Sequence, residues 1–386
     1  MADLNDTPRA SRTHIAFFGR TNAGKSSLVN AFLGQEVALT SDIAGTTTDP
    51  VYKSMELLPL GPVVLIDTAG LGDTTPLGQK RMQKTKEVAD KTDIAVMVVA
   101  SNARDLSAER EFAAFLQAKK IPVVWAVNSF DEQKPLADAV YVHAKTRAGV
   151  EALRARIADF ADSAAEIGLT EGLVCAGDRV VLVMPQDIQA PKGRLILPQV
   201  QMIRDLLDRD CRVYCIKTGD LSDFLGDLSA PPDLVITDSQ IFKTVDEKLP
   251  REIPLTSFSV LMSRQKGDVE AFARGAQAIG HLKPGDPVLS LEACTHHALD
   301  GDIAREKLPR LLEKTVGGAV DFHVHSGHEM PRGLEKYKLA ITCGGCMINR
   351  KNMLSRIAAC EAAGVPITNF GIAIAYMNGI LGRICY

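Results

Sequence analysis

The chain has 386 residues, 46% of them hydrophobic and 24% charged, with a formal net charge of -3. That length exceeds one ordinary domain and predicts two or three, each with its own core. The slight acidic balance argues against nucleic acid as the main partner, because phosphate binding shows as a basic excess. The longest apolar runs, such as Ile94 to Ala100, are strand-sized, so no membrane span is expected. The polar start, Met1 to Thr13, reads as a loose tail and not as a signal or transit peptide. Eight cysteines in that context predict reduced thiols, a cytoplasmic location and sulfur available to metal.

In chain order, His14 to Gly19 is an apolar run that ends in glycine, followed by a helical segment from Lys25 to Leu33. Val63 to Asp67, Asp93 to Ala100 and Ile121 to Asn128 are further β-branched runs. Helical patterns at Gly78 to Ala89, Ser107 to Ala118 and Val150 to Ala164 alternate with them. Such alternation predicts an α/β fold with a doubly wound parallel sheet. Glycines between Ile167 and Gly177 mark a boundary. A second α/β unit follows, with strands at Val180 to Met184, Arg212 to Lys217 and Asp233 to Thr237 and a helix at Leu197 to Arg209. The stretch His281 to Pro287 leads into a strand at Val288 to Leu291, with later strands at Leu339 to Thr342 and Pro366 to Asn369 and a helix at Lys351 to Ala363. The expected division is a tail over 1–13, then domains over 14–166, 172–264 and 265–386.

Gly19-Arg20-Thr21-Asn22-Ala23-Gly24-Lys25-Ser26 fits G-x-x-x-x-G-K-S between a strand and a helix, with Ser27 following. Backbone N–H groups there cradle phosphates; Lys25 reaches the β- and γ-phosphates and the Ser26 hydroxyl binds Mg²⁺. Asp67-Thr68-Ala69-Gly70 ends a strand, where Asp67 would hold Mg²⁺ through water and the Gly70 N–H would sense the γ-phosphate. Thr47, in Gly45-Thr46-Thr47-Thr48-Asp49, is the candidate switch threonine for Mg²⁺. Asn128-Ser129-Phe130-Asp131 ends another strand; the Asp131 carboxylate can accept N1–H and N2–H₂ of guanine, which adenine cannot supply. Ala144 and Lys145 would complete the base pocket.

These motifs resemble the translation-factor-like P-loop GTPases, in the branch that includes MnmE and Era. The family carries lysine where Ser129 stands, so the resemblance implies weakened guanine binding. Leu71 stands where Ras-like proteins carry a water-orienting glutamine. The resemblance implies slow hydrolysis of GTP to GDP and phosphate, stimulated by K⁺ held partly by Asn22.

A second constellation lies near the C-terminus. Cys343-Gly344-Gly345-Cys346 follows one predicted strand, and Cys294-Thr295-His296 follows another. Strands of a parallel sheet share one C-terminal edge, so the three thiols could converge. Three thiolates fit a [4Fe–4S] cluster with one unique iron, open to His296, His297, Asp300, Asp302 or an exchangeable ligand. A Cys₃His zinc site fits the spacing equally well. Cys211 and Cys215 are spaced too far along a strand to share a metal, and Cys175, Cys360 and Cys385 are isolated. His323 and His325 would share a strand face, with His328 nearby, and could chelate; an exposed face is the commoner role.

Over Thr13 to Tyr386 the chain resembles the HydF family of [FeFe]-hydrogenase maturation GTPases. The most specific stretches are Ala190 to Gln199, Leu234 to Gln240, Leu255 to Ser259, Glu292 to His297, Cys343 to Met347 and Pro366 to Gly371. The family motif is C-x-H, a gap of roughly fifty residues, then H-C-x-x-C; Thr342 stands where that histidine is usual. The resemblance implies a [4Fe–4S] cluster in place of zinc, and a homodimer formed through the middle domain. It implies a carrier that receives a di-iron precursor from two radical-SAM maturases and delivers it to apo-[FeFe]-hydrogenase. Two rivals remain: an RNA- or ribosome-associated assembly GTPase with a structural metal site, and a redox sensor that gates its GTPase.

Overall fold

Apolar runs bounded by glycine build the strands that position both candidate sites. The computed structural model describes residues 11–34, 50–72, 76–128, 136–160, 168–185, 195–293, 303–327, 329–345 and 347–386. The chain divides into two compact units, Met1–Ala165 and Glu166–Tyr386.

The first unit runs β1 (Thr13–Phe18), α1 (Lys25–Leu33), β2 (Val51–Leu57), β3 (Gly61–Asp67), α2 (Pro76–Ala89), β4 (Ile94–Ala100), α3 (Ser107–Ala118), β5 (Val123–Asn128), β6 (Ala139–Val142) and α4 (Val150–Ala158). Its six-stranded sheet has the order β2-β3-β1-β4-β5-β6. Only β2 runs antiparallel, against β3. Helices cover both faces, so β1 is buried on both and reads as a continuous apolar run. Ile15 and Phe17 join Leu28, Phe32 and Leu65 in one core; Ala16 and Phe18 join Val64, Ile66 and Leu116 in the other. Each fully buried Phe or Leu contributes about 1.5–3 kcal/mol, so β1 anchors both layers. α4 spans Val150–Ala158; the rest of the expected run to Ala164 falls mostly on residues 161–167, which lie outside the described set.

The second unit runs β7 (Arg179–Val183), α5 (Leu197–Asp208), β8 (Arg212–Ile216), α6 (Leu221–Asp227), β9 (Leu234–Thr237), α7 (Phe242–Lys248), β10 (Leu255–Ser257), α8 (Phe258–Lys266) and α9 (Val269–Ala276). It continues with β11 (Pro287–Glu292), α10 (Leu308–Val316), β12 (Asp321–Ser326), β13 (Leu339–Thr342), α11 (Arg350–Ala362), β14 (Ile367–Asn369) and α12 (Phe370–Met377). The strands form two four-stranded sheets, β10-β9-β7-β8 and β12-β11-β13-β14, all of whose pairings are parallel. One buried cluster takes Val181, Val183, Val235 and Leu255 from the first sheet and Val288, Leu289, Ile341 and Ile367 from the second.

A polar junction sits at strand ends of both sheets. Ser239 Oγ meets Ser257 Oγ at 3.3 Å and also Ser259 Oγ. Asn369 caps α12 by accepting the Ile372 N–H at 2.8 Å, while its Nδ2 donates to Ser263 Oγ on α8. The motifs Leu234 to Gln240, Leu255 to Ser259 and Pro366 to Gly371 thus meet in space. No helix among the described residues is long and apolar enough to cross a membrane.

Candidate functional site

The phosphate cradle forms where β1 turns into α1. Gly19 has φ 147, and a Cβ there would run into the Val98 carbonyl; Gly24 has φ 84, and a Cβ there would strike the Asn128 carboxamide. Asn22 also takes a positive φ, 64, a region asparagine tolerates better than most residues. These turns wrap the backbone around Lys25, which is 7% exposed. Its Nζ donates to the carbonyls of Gly19 and Arg20, each at 3.0 Å. Burial lowers its pKa to about 8, partly opposed by Asp67 and Glu109.

The Ser26 hydroxyl donates to Asp67 Oδ2 at 2.5 Å. Asp67 Oδ1 is buried without a hydrogen-bond partner among the described residues, and burial raises the Asp67 pKa despite the Ser26 bond and the nearby Lys25 charge. An orphaned carboxylate oxygen beside a serine hydroxyl is a donor set of hard oxygens that fits Mg²⁺. Gly70 packs so closely on Thr21 that a side chain there would clash, and Leu71 N–H donates to Gly19 O at 3.0 Å. The glycine of the second phosphate loop therefore lies directly against the first.

Asn128, fully buried, joins the cradle to the expected base pocket. Its Nδ2 donates to Ala23 O at 3.3 Å, and its Oδ1 accepts the Ala144 N–H at 3.2 Å. Lys145 follows on the same loop. Thr47, Ser129 and Asp131 lie outside the described residues. One contact had no sequence signal: Arg20 reaches out of the cradle to Asp105 Oδ2 at 3.0 Å and to Glu109 Oε1 at 3.1 Å, at the start of α3.

At the second site, β11 and β13 are adjacent and parallel, with Leu291 opposite Thr342. Cys343 N–H donates to Leu291 O at 2.9 Å, and the Ala293 N–H donates to Cys343 Sγ at 3.2 Å. The residue directly before Cys294 is therefore bonded to the Cys343 sulfur. Cys294, His296, His297, Asp300, Asp302 and Cys346 lie outside the described residues. Thr342 is fully buried, and its Oγ1 faces Leu291 O at 3.4 Å. Its hydroxyl is thus turned into the sheet, away from a ligand role.

Two buried cations flank this edge. Lys266 Nζ donates to Ile348 O at 3.0 Å, and Arg356 on α11 donates to Gly327 O. Both are 1% exposed. A soft sulfur beside buried positive charge fits an anionic thiolate-bound cluster. His323 and His325 are engaged elsewhere: His323 Nε2 pairs with Asp321 Oδ2 at 2.8 Å, and His325 Nε2 with Glu329 O at 3.0 Å. His328 lies outside the described residues, and no cluster of three or more metal-ligating side chains occurs among those described.

Comparison with known proteins bears on both halves. Residues 14–129 match the 50S ribosome-binding GTPase family model. Residues 169–267 match the Hydrogen maturase F dimerization domain, and residues 270–385 its tetramerization domain. Among curated proteins, the GTPase Der of Sulfurimonas denitrificans is 33% identical over 129 residues, 33% of this chain and 26% of that protein. The tRNA modification GTPase MnmE of Legionella pneumophila is 33% identical over 231 residues, 55% of this chain and 49% of that protein. The chain thus spans half or less of the length of these relatives. Among solved structures, NFeoB from S. thermophilus bound to GDP, AlF4- and K+ is 21% identical with TM-score 0.30, covering 38% of this chain and 61% of that one. An Era variant from Aquifex aeolicus is 16% identical with TM-score 0.29, covering 81% and 92%. With a P-loop GTPase domain followed by the dimerization and tetramerization domains of Hydrogen maturase F, the chain belongs to the HydF family of hydrogenase maturation GTPases.

Proposed function

We propose that this chain is a GTP-hydrolysing scaffold and carrier that assembles the di-iron subcluster of the H-cluster and delivers it to apo-[FeFe]-hydrogenase. The observation that carries this reading is the fusion of a phosphate cradle to two domains of Hydrogen maturase F. Lys25 holds the β- and γ-phosphates, while Ser26, Thr47 and Asp67 position Mg²⁺. Gly70 reads the γ-phosphate, and Asn128, Asp131, Ala144 and Lys145 hold the guanine. Asn22 takes part in a K⁺ site that speeds hydrolysis. Loss of the γ-phosphate releases the segments around Thr47 and Gly70, and the two nucleotide states then present different surfaces.

Cys294, Cys343 and Cys346 hold a resident [4Fe–4S] cluster; what supports this is the Ala293 N–H on the Cys343 sulfur, which brings the chain beside Cys294 to the C-x-x-C loop. When bound, that cluster supplies an iron with an exchangeable coordination position. The di-iron unit is cargo, received from two radical-SAM maturases. The protein works as a homodimer in the cytoplasm. In the test, protein co-expressed with the maturases is mixed with apo-hydrogenase and H₂ production is followed. Gain of activity is expected. Its loss in Cys343→Ser with GTP hydrolysis intact supports the carrier role; full activation by that variant overturns it. The name of the GTPase family model favours one alternative, an RNA- or ribosome-associated GTPase with a structural metal site. Co-purification with 50S particles in a GTP-dependent manner would support it.

A further inference from the structure

Arg356 lies on α11 three residues after Met353 and four before Cys360, a spacing that puts all three on one helix face. That face meets the loop after β13. A Cβ on Gly345 would touch Met353 Cε, and Met353 Sδ lies 4.0 Å from Thr342 Oγ1. One guanidinium nitrogen of Arg356 donates to Gly327 O, while Nε and Nη1 are buried and have no partner among the described residues. Gly327 N–H in turn donates to Glu292 O at 2.9 Å, one residue before the Ala293 N–H that reaches Cys343 Sγ. The carboxylate at the end of β11 is already engaged: Glu292 Oε2 accepts from Ser326 at 2.7 Å and faces Arg305 at 3.4 Å. Burial disfavours the charged guanidinium, and the Cys343 sulfur acts against that penalty. Arginine does not give up its proton in proteins. A buried, half-satisfied cation is costly unless an anion completes it.

We propose that Arg356 is the built-in counter-ion of the anionic iron–sulfur centre on Cys343, its two free N–H edges serving sulfur. This rests on the cluster reading above. Arg356 is a positioning residue, not an iron ligand. Its charge and hydrogen bonds favour the more negative, reduced cluster and so raise the reduction potential. Cys360, the other sulfur on this face, has its pKa pushed up to about 11 by burial, so it stays a thiol and leaves the cation to Cys343.

The test is anaerobic reconstitution of the full chain with iron and sulfide, for the wild type and for Arg356→Lys, Arg356→Gln and Arg356→Met. Iron and sulfide content, the midpoint potential from an EPR-monitored titration and the rate of iron loss to a chelator are read. Arg356→Met and Arg356→Gln should shift to lower potential and lose iron faster, while Arg356→Lys stays near the wild type. Far-ultraviolet circular dichroism and unchanged GTP hydrolysis report folding. If Arg356→Met fails to fold, the Lys and Gln variants decide. Equal potentials and retention in wild type, Lys and Gln overturn the role of Arg356 alone. A wild-type chain that takes up no iron and sulfide overturns the cluster reading and this proposal with it.

Discussion

The Ser26 hydroxyl donates to Asp67 Oδ2 at 2.5 Å, closing the gap between the first turn of α1 and the end of β3. Each occupies the other while Asp67 Oδ1 stays buried and unpartnered among the described residues. If Ser26 and Asp67 hold Mg²⁺ as proposed, its binding would replace this bond with metal and water contacts. Asp67→Asn removes the charge that orients those waters and should weaken Mg²⁺ binding about 10- to 100-fold. The Mg²⁺ concentration for half-maximal GTP hydrolysis measures this; an unchanged value would remove Asp67 from the metal site.

Lys25 sets a pH dependence. Burial lowers its pKa from 10.5 to about 8, whereas bound phosphates favour its charged form. Binding of GDP above pH 8 therefore takes up a proton. Affinity should be flat below pH 8 and fall with rising pH beyond it, by up to ~10-fold per unit. For stability of the nucleotide-free chain the sign is opposite. The unfolded lysine keeps its proton up to 10.5 while the folded one loses it near 8, so this group makes stability rise with pH across that window. Titrations with fluorescent GDP on either side of pH 8, with Lys25→Met as control, check the first effect. A wild-type profile matching the control refutes it.

Asn128→Ala strands the Ala23 carbonyl and the Ala144 N–H in a buried place. The cost should be about 1–3 kcal/mol of stability, seen as a lower urea midpoint for the first unit. Nucleotide binding should weaken as well, because the same side chain links the phosphate and base loops.

Gly275→Ala opposes two effects. Alanine in a helix stabilises by roughly 0.5–1 kcal/mol over glycine. Here, however, a Cβ would collide with the Ile367 backbone, where α9 lies against β14. Overpacking against backbone costs about 1–3 kcal/mol, so net destabilisation is expected in chemical denaturation. A more stable variant would show that α9 can move away from β14.

The phosphate cradle was legible because its chemistry is local: α1 begins at Lys25 and ends at Leu33 as the motif and the Gly34 cap require. α3, from Ser107 to Ala118, was equally plain from its amphipathic period. β2 escaped notice because Val51–Leu57 is an exposed edge of mixed polarity, and β10 because three residues carry no period. α8 was hidden by a nearly all-round buried surface that includes Ser263 and Lys266. The Ser26–Asp67 pair could be foreseen from motif order. The Arg20 tether to α3 and the half-satisfied Arg356 could not, since each depends on which distant backbone the side chain reaches. The Ala293–Cys343 contact is intermediate: parallel strand ends predict adjacency, but not which atom meets the sulfur.

The serine–asparagine junction and the single apolar cluster of the second unit have a joint consequence. Val183 and Val235 share their interior with Val288 and Ile341, so the segments matched separately at 169–267 and 270–385 form one cooperative body. Cleaving the polypeptide between them would lay bare oily faces on both fragments. A lesion in that shared interior would therefore loosen both sheets at once, including the strand that leads to Cys343.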